Sequence, residues 1–283
     1  MPTSHAQPSI KERREAARVA AERLREARRL RRRRQRLIGL GAGVVGLALV
    51  AVLIAWIMAE ANRSVLEDVA LRPQGSTLSG AIAVGSEGIA GTTEEAASDA
   101  VVVSVYSDYM CPYCALFEEL NGPVLDELRE AGDVVVQYHP VSIMDRVSEG
   151  TAYSTRAAVA AALVADRAPE HFLAFNRLLF ANQPAEGTTG LTNAEIADLA
   201  RQAEVPQDVA SAIESGDYVG DRSGAGGSAI AQTFLPWVEA ATEQASRDLG
   251  QLSTPTILIA GVELGADWRQ DGVLAQAVAD ASP

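Results

Sequence analysis

At 283 residues the chain can form one large domain or two ordinary ones, and its formal net charge is −13. That charge is split. The first 36 residues hold Lys11 and twelve arginines against four glutamates, a net of +9, which leaves −22 for everything from residue 37 onward. A C-terminal part this acidic is repelled by nucleic acid, so no nucleic-acid partner is expected.

The chain opens on a basic arm, residues 1–36, which ends in ERLREARRLRRRRQR. Residues 37–59, LIGLGAGVVGLALVAVLIAWIMA, follow without a single charge. As a helix rising 1.5 Å per residue they span about 34 Å, enough to cross a hydrocarbon core of about 30 Å. A single transmembrane helix is therefore expected. A cleaved signal peptide is the rival, because Ala59, Glu60 and Ala61 have the small-x-small form of a cleavage site. By the positive-inside rule the arm stays cytoplasmic, so the rest of the chain is expected outside the cell membrane.

Residues 60–99 are rich in Gly, Ser, Thr and Glu and read as a tether, with residues 81–84 as a candidate edge strand. The domain proper is expected over residues 100–283. VVVSVY, residues 101–106, has the continuous β-branched run of a strand buried on both faces. A helix then begins at CPYC, is expected to kink at Gly122 and Pro123, and ends at Gly132; VVVQYH, residues 134–139, makes the next strand. Strand, helix, strand is a βαβ unit with parallel strands. Residues 150–250 turn helical. Pro169 suits a first helical position, Thr192 and Glu195 form a capping box, Pro206 opens a helix that Gly216 closes, and another helix follows Pro236. TILIA, residues 256–260, returns to strand, and a last helix is expected over residues 270–279. The fold class is α/β, a sheet domain interrupted by a helical insertion of about a hundred residues.

Cys111 and Cys114 are the only cysteines. Pro112 lacks an N–H and has φ preset for a first helical turn, which makes Cys111 the N-cap, facing free N–H groups and the positive end of the helix dipole. Thiols in such places fall from about 8.5 to between about 3.5 and 7.5. Cys114, one turn on, can close a disulfide with Cys111 and resolve a mixed one. A structural staple is the weaker reading, since so short a loop contributes only about 2 kcal/mol against about 4.7 for a hundred-residue loop. A metal site is weaker still, for want of a second C-x-x-C or spaced histidines. Asp108, three residues before Cys111, is either a proton acceptor or a hydrogen-bonded loop residue. His139 and His171 read as packing or surface histidines. Phe172, Phe175, Leu178 and Leu179 read as a helix–helix core with a peptide groove as the alternative, and Tyr109, Met110 and Tyr113 as an apolar rim around the cysteines.

Together, VYSDYMCPYC, the helical insertion and STPTILIAG resemble the DsbA-like thiol:disulfide oxidoreductases of the thioredoxin superfamily, most of all their membrane-tethered bacterial forms. The resemblance covers residue 81 to the C-terminus. It implies a thioredoxin-like fold, redox catalysis by Cys111 and Cys114, and no cofactor or metal. It also implies a cis Pro255 lying against the pair, where its loop meets the substrate backbone, with Thr254, Pro112 and Tyr113 setting the redox behaviour. The implied partners are reduced, exported proteins and a membrane protein of the DsbB or vitamin K epoxide reductase type that reoxidises the pair. Two departures stand out: Pro-Tyr replaces the Pro-His of the best-known DsbA oxidases, and Thr254 replaces their valine. The expected function is disulfide formation in exported proteins. A reductase or isomerase on the same scaffold, and a non-catalytic binding module or chaperone, are the alternatives.

Overall fold

A computed structural model describes residues 10–61, 63–89, 100–216 and 233–282. It divides into two units, residues 1–63 and residues 64–283. In the first, helix α1 (Ile10–Ala61) runs through the basic arm and the apolar segment. Among the described residues no helix is long and apolar enough to cross a membrane. Side chains 36–40, 42–45 and 59 of the expected span and its border lie outside the described residues.

The second unit is built on a six-stranded sheet, β1 (Ile82–Gly85), β2 (Gly88–Ile89), β3 (Val101–Ser107), β4 (Val134–Pro140), β5 (Thr256–Ile259) and β6 (Val262–Glu263), in the order β2-β1-β4-β3-β5-β6. The valine runs form the centre. β3 pairs β4 in parallel from Val101↔Val134 to Ser107↔Pro140, and the remaining pairs are antiparallel. Between β3 and β4 runs helix α2 (Pro112–Ala131), which closes on Gly132 in the left-handed conformation and holds Gly122 and Pro123, where a kink is expected, within its length.

The insertion comprises α3 (Tyr153–Arg167), α4 (Phe172–Ala181), α5 (Asn193–Gln202), α6 (Gln207–Ser215) and α7 (Leu235–Leu249) among the described residues; residues 217–232 lie outside them. α3 is apolar on all sides because it is the axis of this bundle, with every residue from Ala157 to Ala165 buried. Its alanines let the neighbouring helices close in, while Phe172, Phe175 and Trp237 fill the space between them. The capping box of Thr192 and Glu195 is formed, and Pro206 and Gly216 bound α6. The final helix, α8 (Val273–Ala281), starts later than expected because Gly272 takes φ 77 and delays the first turn.

The segment read as a tether departs most from expectation. From residue 64 to residue 89 it is part of the folded unit. Leu66 and Ala81 are fully buried, and the Val65 N–H donates to Gln244 Oε1 of α7 at 3.1 Å. Gly80 (φ +84) packs so closely on α7 that a Cβ there would stand 2.6 Å from that of Ala241. The candidate edge strand is an interior one, since β2 turns back to pair outside it. Residues 64–80 carry no helical or strand periodicity from which their burial could be read. Residues 62 and 90–99 lie outside the described residues.

Candidate redox site

The cysteine pair sits where β3 hands over to α2. Cys111 is the N-cap (φ −83, ψ 115) and Pro112 the first helical residue. The Cys111 N–H donates to the Asp108 carbonyl at 3.0 Å, and the Cys111 carbonyl accepts from the Cys114 N–H at 2.9 Å. This short frame orients both thiols. Cys111 is 5% exposed and Cys114 1%, so the N-terminal sulfur is the more accessible of the two. Both cysteines are free thiols in this structure.

The two thiols have opposite proton affinities. The hydrogen bond from the Cys114 thiol brings Cys111 down to about 6, against burial, with Thr254 and the N–H groups of Cys114 and Tyr113 pulling the same way. Burial pushes Cys114 well above its ordinary value, and its neighbour Cys111 adds to the rise. One sulfur is thus poised as thiolate while the other keeps its proton.

β5 is preceded by a loop that closes over the pair. The Thr254–Pro255 peptide bond is cis, and the Thr254 carbonyl lies 3.3 Å from Cys111 Sγ. Having no N–H, Pro255 offers no competing donor to the sulfur. Tyr113, two residues after Cys111, and Pro255 both line an open depression with Trp268 and Arg269. Tyr113 is 58% exposed, while Tyr109 and Met110 are buried. The expected apolar rim therefore reduces to Tyr113, because Tyr109 is drawn into the insertion, where its hydroxyl donates to Asn176 Oδ1 at 2.8 Å and its ring packs on Phe180.

Asp108 is fully buried and works as a brace. Its carboxylate accepts from the N–H groups of Met110 (2.8 Å) and Met144 (2.9 Å) and from the Ser154 hydroxyl (2.6 Å), tying the cysteine loop to the loop after β4 and to α3. Burial pushes its pKa up to about 6 in spite of those donors. His139 stacks on Tyr106 inside the sheet at 3.9 Å, and His171 faces Glu170; both lie away from the cysteines in packing or surface roles. Phe172, Phe175 and Leu179 are buried core residues of the insertion, and Leu178 is partly buried against that core. Among the described residues no group of three His, Cys, Asp or Glu is placed to hold a metal.

One contact escaped the sequence reading. Gln183, just beyond α4, donates from Nε2 to the Cys111 carbonyl at 2.9 Å across 72 positions of sequence. No local pattern marks such a residue; only packing of the insertion onto α2 brings it there.

A thioredoxin family model matches residues 93–276. No curated protein sequence matches the chain. Among solved structures, the disulfide bond oxidoreductase DsbG of Mycobacterium tuberculosis is 30% identical, with 71% of this chain and 86% of that one covered and a TM-score of 0.53. DsbA of the same organism is 29% identical over 72% of this chain and 100% of that one, at a TM-score of 0.51. The thiol-disulfide oxidoreductase MdbA of Corynebacterium diphtheriae, 24% identical over 75% of this chain and 95% of that one with a TM-score of 0.55, shares the fold. With its cysteine pair at the head of α2 and a cis-proline loop against it, the chain belongs to the thioredoxin family and is a thiol:disulfide oxidoreductase of the DsbA type.

Proposed function

We propose that the protein is an oxidase, which passes a disulfide from Cys111–Cys114 to cysteines of exported polypeptides. The observation that carries this reading is the lowered proton affinity of Cys111 beside a protonated Cys114. In the disulfide form, a substrate thiolate attacks Cys111 Sγ; the Cys111–Cys114 bond breaks, a mixed disulfide forms, and Cys114 leaves and takes up a proton. A second substrate thiolate then attacks the first substrate sulfur, and Cys111 leaves as thiolate. The substrate loses two electrons as its disulfide forms, and the pair gains them. A thiolate stabilised at Cys111 is a good leaving group and favours the reduced enzyme, which makes the oxidised enzyme a stronger oxidant.

In this reading Thr254 and Pro255 hold the substrate backbone across the pair. Pro112 and Tyr113 set the helix start and the exposed face, and Asp108 keeps the loop in place. The reduced pair must then hand its electrons to an acceptor, for which a membrane protein of the DsbB or vitamin K epoxide reductase type is the fitting class. The uncharged segment over residues 37–59 supports anchorage beside such a partner, and Leu47, Leu49, Val52, Leu53, Ile54 and Trp56, on all sides of α1, are each more than half exposed within their unit. The twelve arginines before it support a cytoplasmic N-terminus and a catalytic domain outside the cell membrane.

The test is the reduction potential of the pair, measured in glutathione buffers with alkylation trapping. A value well above about −200 mV is expected; one near −270 mV would identify a reductase instead. A pair that fails to exchange would leave only a binding module.

A further inference from the structure

The flank of α2 turned toward α4 carries a cleft of about 520 Å³, walled by Ala115, Gly122, Pro123, Phe180 and Ala181. Its charged residues are Glu118, Glu119, Asp126 and Arg177, three carboxylates against one guanidinium. They are unevenly paired. Arg177 donates from Nη2 to Asp126 Oδ2, whereas its Nε stands 3.8 Å from Glu118 Oε1, too far for a hydrogen bond. The Glu118 side chain is only 10% exposed, and this long ion pair with Arg177 is the partner its carboxylate has among the described residues. Asp126 Oδ1 is buried without a hydrogen-bond donor, with Arg129 Nη2 3.7 Å away. Burial pushes Glu118 up to about 7, the mark of a carboxylate removed from water and incompletely compensated. Gly122 leaves it room, since a Cβ there would stand 3.4 Å from Glu118 Oε1.

We propose that this cleft is a subsite for the Lys or Arg side chain of a polypeptide being oxidised, with the cation on Glu118 and its aliphatic stem along Phe180, Ala181 and Pro123. The proposal rests on the oxidoreductase reading above and adds a sequence preference to it. A long apolar stem ending in several donors matches both the walls and the unmet acceptor. A bare divalent ion does not, because among the described residues no three carboxylates are placed to hold one. Position sets the spacing. Glu118 follows Cys111 by seven residues on one helix, about 10 Å along its axis. An extended substrate advances about 3.3 Å per residue, so the basic residue falls about three positions from the reacting cysteine.

The test uses the full chain in detergent with the pair oxidised. Two single-cysteine peptides of identical composition are compared, one with its lysine three residues from the cysteine and one with it eight residues away. Equal charge cancels the general attraction of the acidic domain. The mixed disulfide with Cys111 is trapped by acid and alkylation, and its rate of formation measured. The near-lysine peptide is expected to react about tenfold faster, the effect of one charge-assisted hydrogen bond. That ratio is expected to fall to about one in Glu118→Gln, and also in Ala181→Lys, which supplies a resident ammonium without touching Glu118. Because the ratio is internal to each variant, a change in stability or redox behaviour does not imitate it. Dithiothreitol reports separately on the wild-type pair. If the wild type oxidises dithiothreitol but treats both peptides alike, or if the preference survives in both variants, the subsite is refuted while the enzyme stands. If dithiothreitol is not oxidised, the oxidoreductase reading itself falls.

Discussion

The corner that holds Cys111 and Cys114 and the seam that joins α2 to the helical insertion share one helix and are assembled in opposite ways. The corner is local: Asp108, Cys111, Pro112 and Cys114 set its backbone through contacts spanning three residues. The seam is made of partners far apart in sequence, Asp108 with Ser154, Tyr109 with Asn176, Arg177 with Asp126 and Gln183 with Cys111, separated by 46, 67, 51 and 72 positions. The difference separates two jobs. The local corner supplies the chemistry, a nucleophile next to its resolving partner. The seam holds that corner against the insertion and builds the cleft alongside it.

Breaking the corner has the largest effect. Cys111→Ser is expected to reduce disulfide exchange to the uncatalysed rate. Cys114→Ser leaves the nucleophile but removes the group that resolves its adduct, so mixed disulfides with substrate are expected to accumulate on non-reducing gels. Both outcomes together test the assignment of roles, since two equivalent thiols would give the same phenotype.

Breaking the seam at its buried centre comes next. Asp108→Ala strands three donors, the N–H groups of Met110 and Met144 and the Ser154 hydroxyl, and is expected to cost on the order of 3–5 kcal/mol in denaturant unfolding. Asp108→Asn keeps part of this network and should lose less. An equal loss in the two variants would point to the carboxylate charge rather than its acceptor capacity.

The proton affinities sharpen the contrast within the corner. Alkylation of the reduced enzyme is expected to rise with pH through a midpoint near 6, the value to which Cys111 is lowered, while Cys114 stays unreactive across that range. Because the folded value lies below the ordinary thiol value of 9.0, Cys111 stabilises the reduced fold fully above pH 9 and loses that contribution as the pH falls through about 6. A midpoint near 9 would remove the basis for the oxidase reading.

The smallest effect is expected at Gln183→Ala. It removes one hydrogen bond to the Cys111 carbonyl and should cost about 1 kcal/mol while leaving the alkylation midpoint close to 6. A large shift of that midpoint would show that the seam tunes the thiol as well as holding it.

Much of this corner was legible in the chain. A valine run, a C-P-x-C step and helix-stop glycine are local signals, and β3, α2 and β4 form where those signals stand. The capping box at Thr192 and the boundaries of α6 were legible for the same reason. The helix start at residue 273 was less so, because the left-handed Gly272 keeps Gln270 and Asp271 outside the helix. The segment 64–89 was misread because its Gly, Ser and Pro content resembles that of a linker, and apolar residues such as Leu66 and Ala81 are buried where it packs on α7 and the sheet.

The sequence by itself determined the valine strands, the placing of Cys111 at a helix N-terminus with Cys114 one turn on, and the uncharged segment beside a basic arm. Each of these follows from backbone geometry or polarity within a few neighbouring residues. Tertiary structure decided the rest: the Thr254 carbonyl against Cys111, Gln183 on its backbone, the interior place of β1, and the underdonated Glu118 in the α2–α4 cleft. These depend on which distant segments meet, and the strength of a hydrogen bond or the cost of a buried charge is fixed only when its surroundings are.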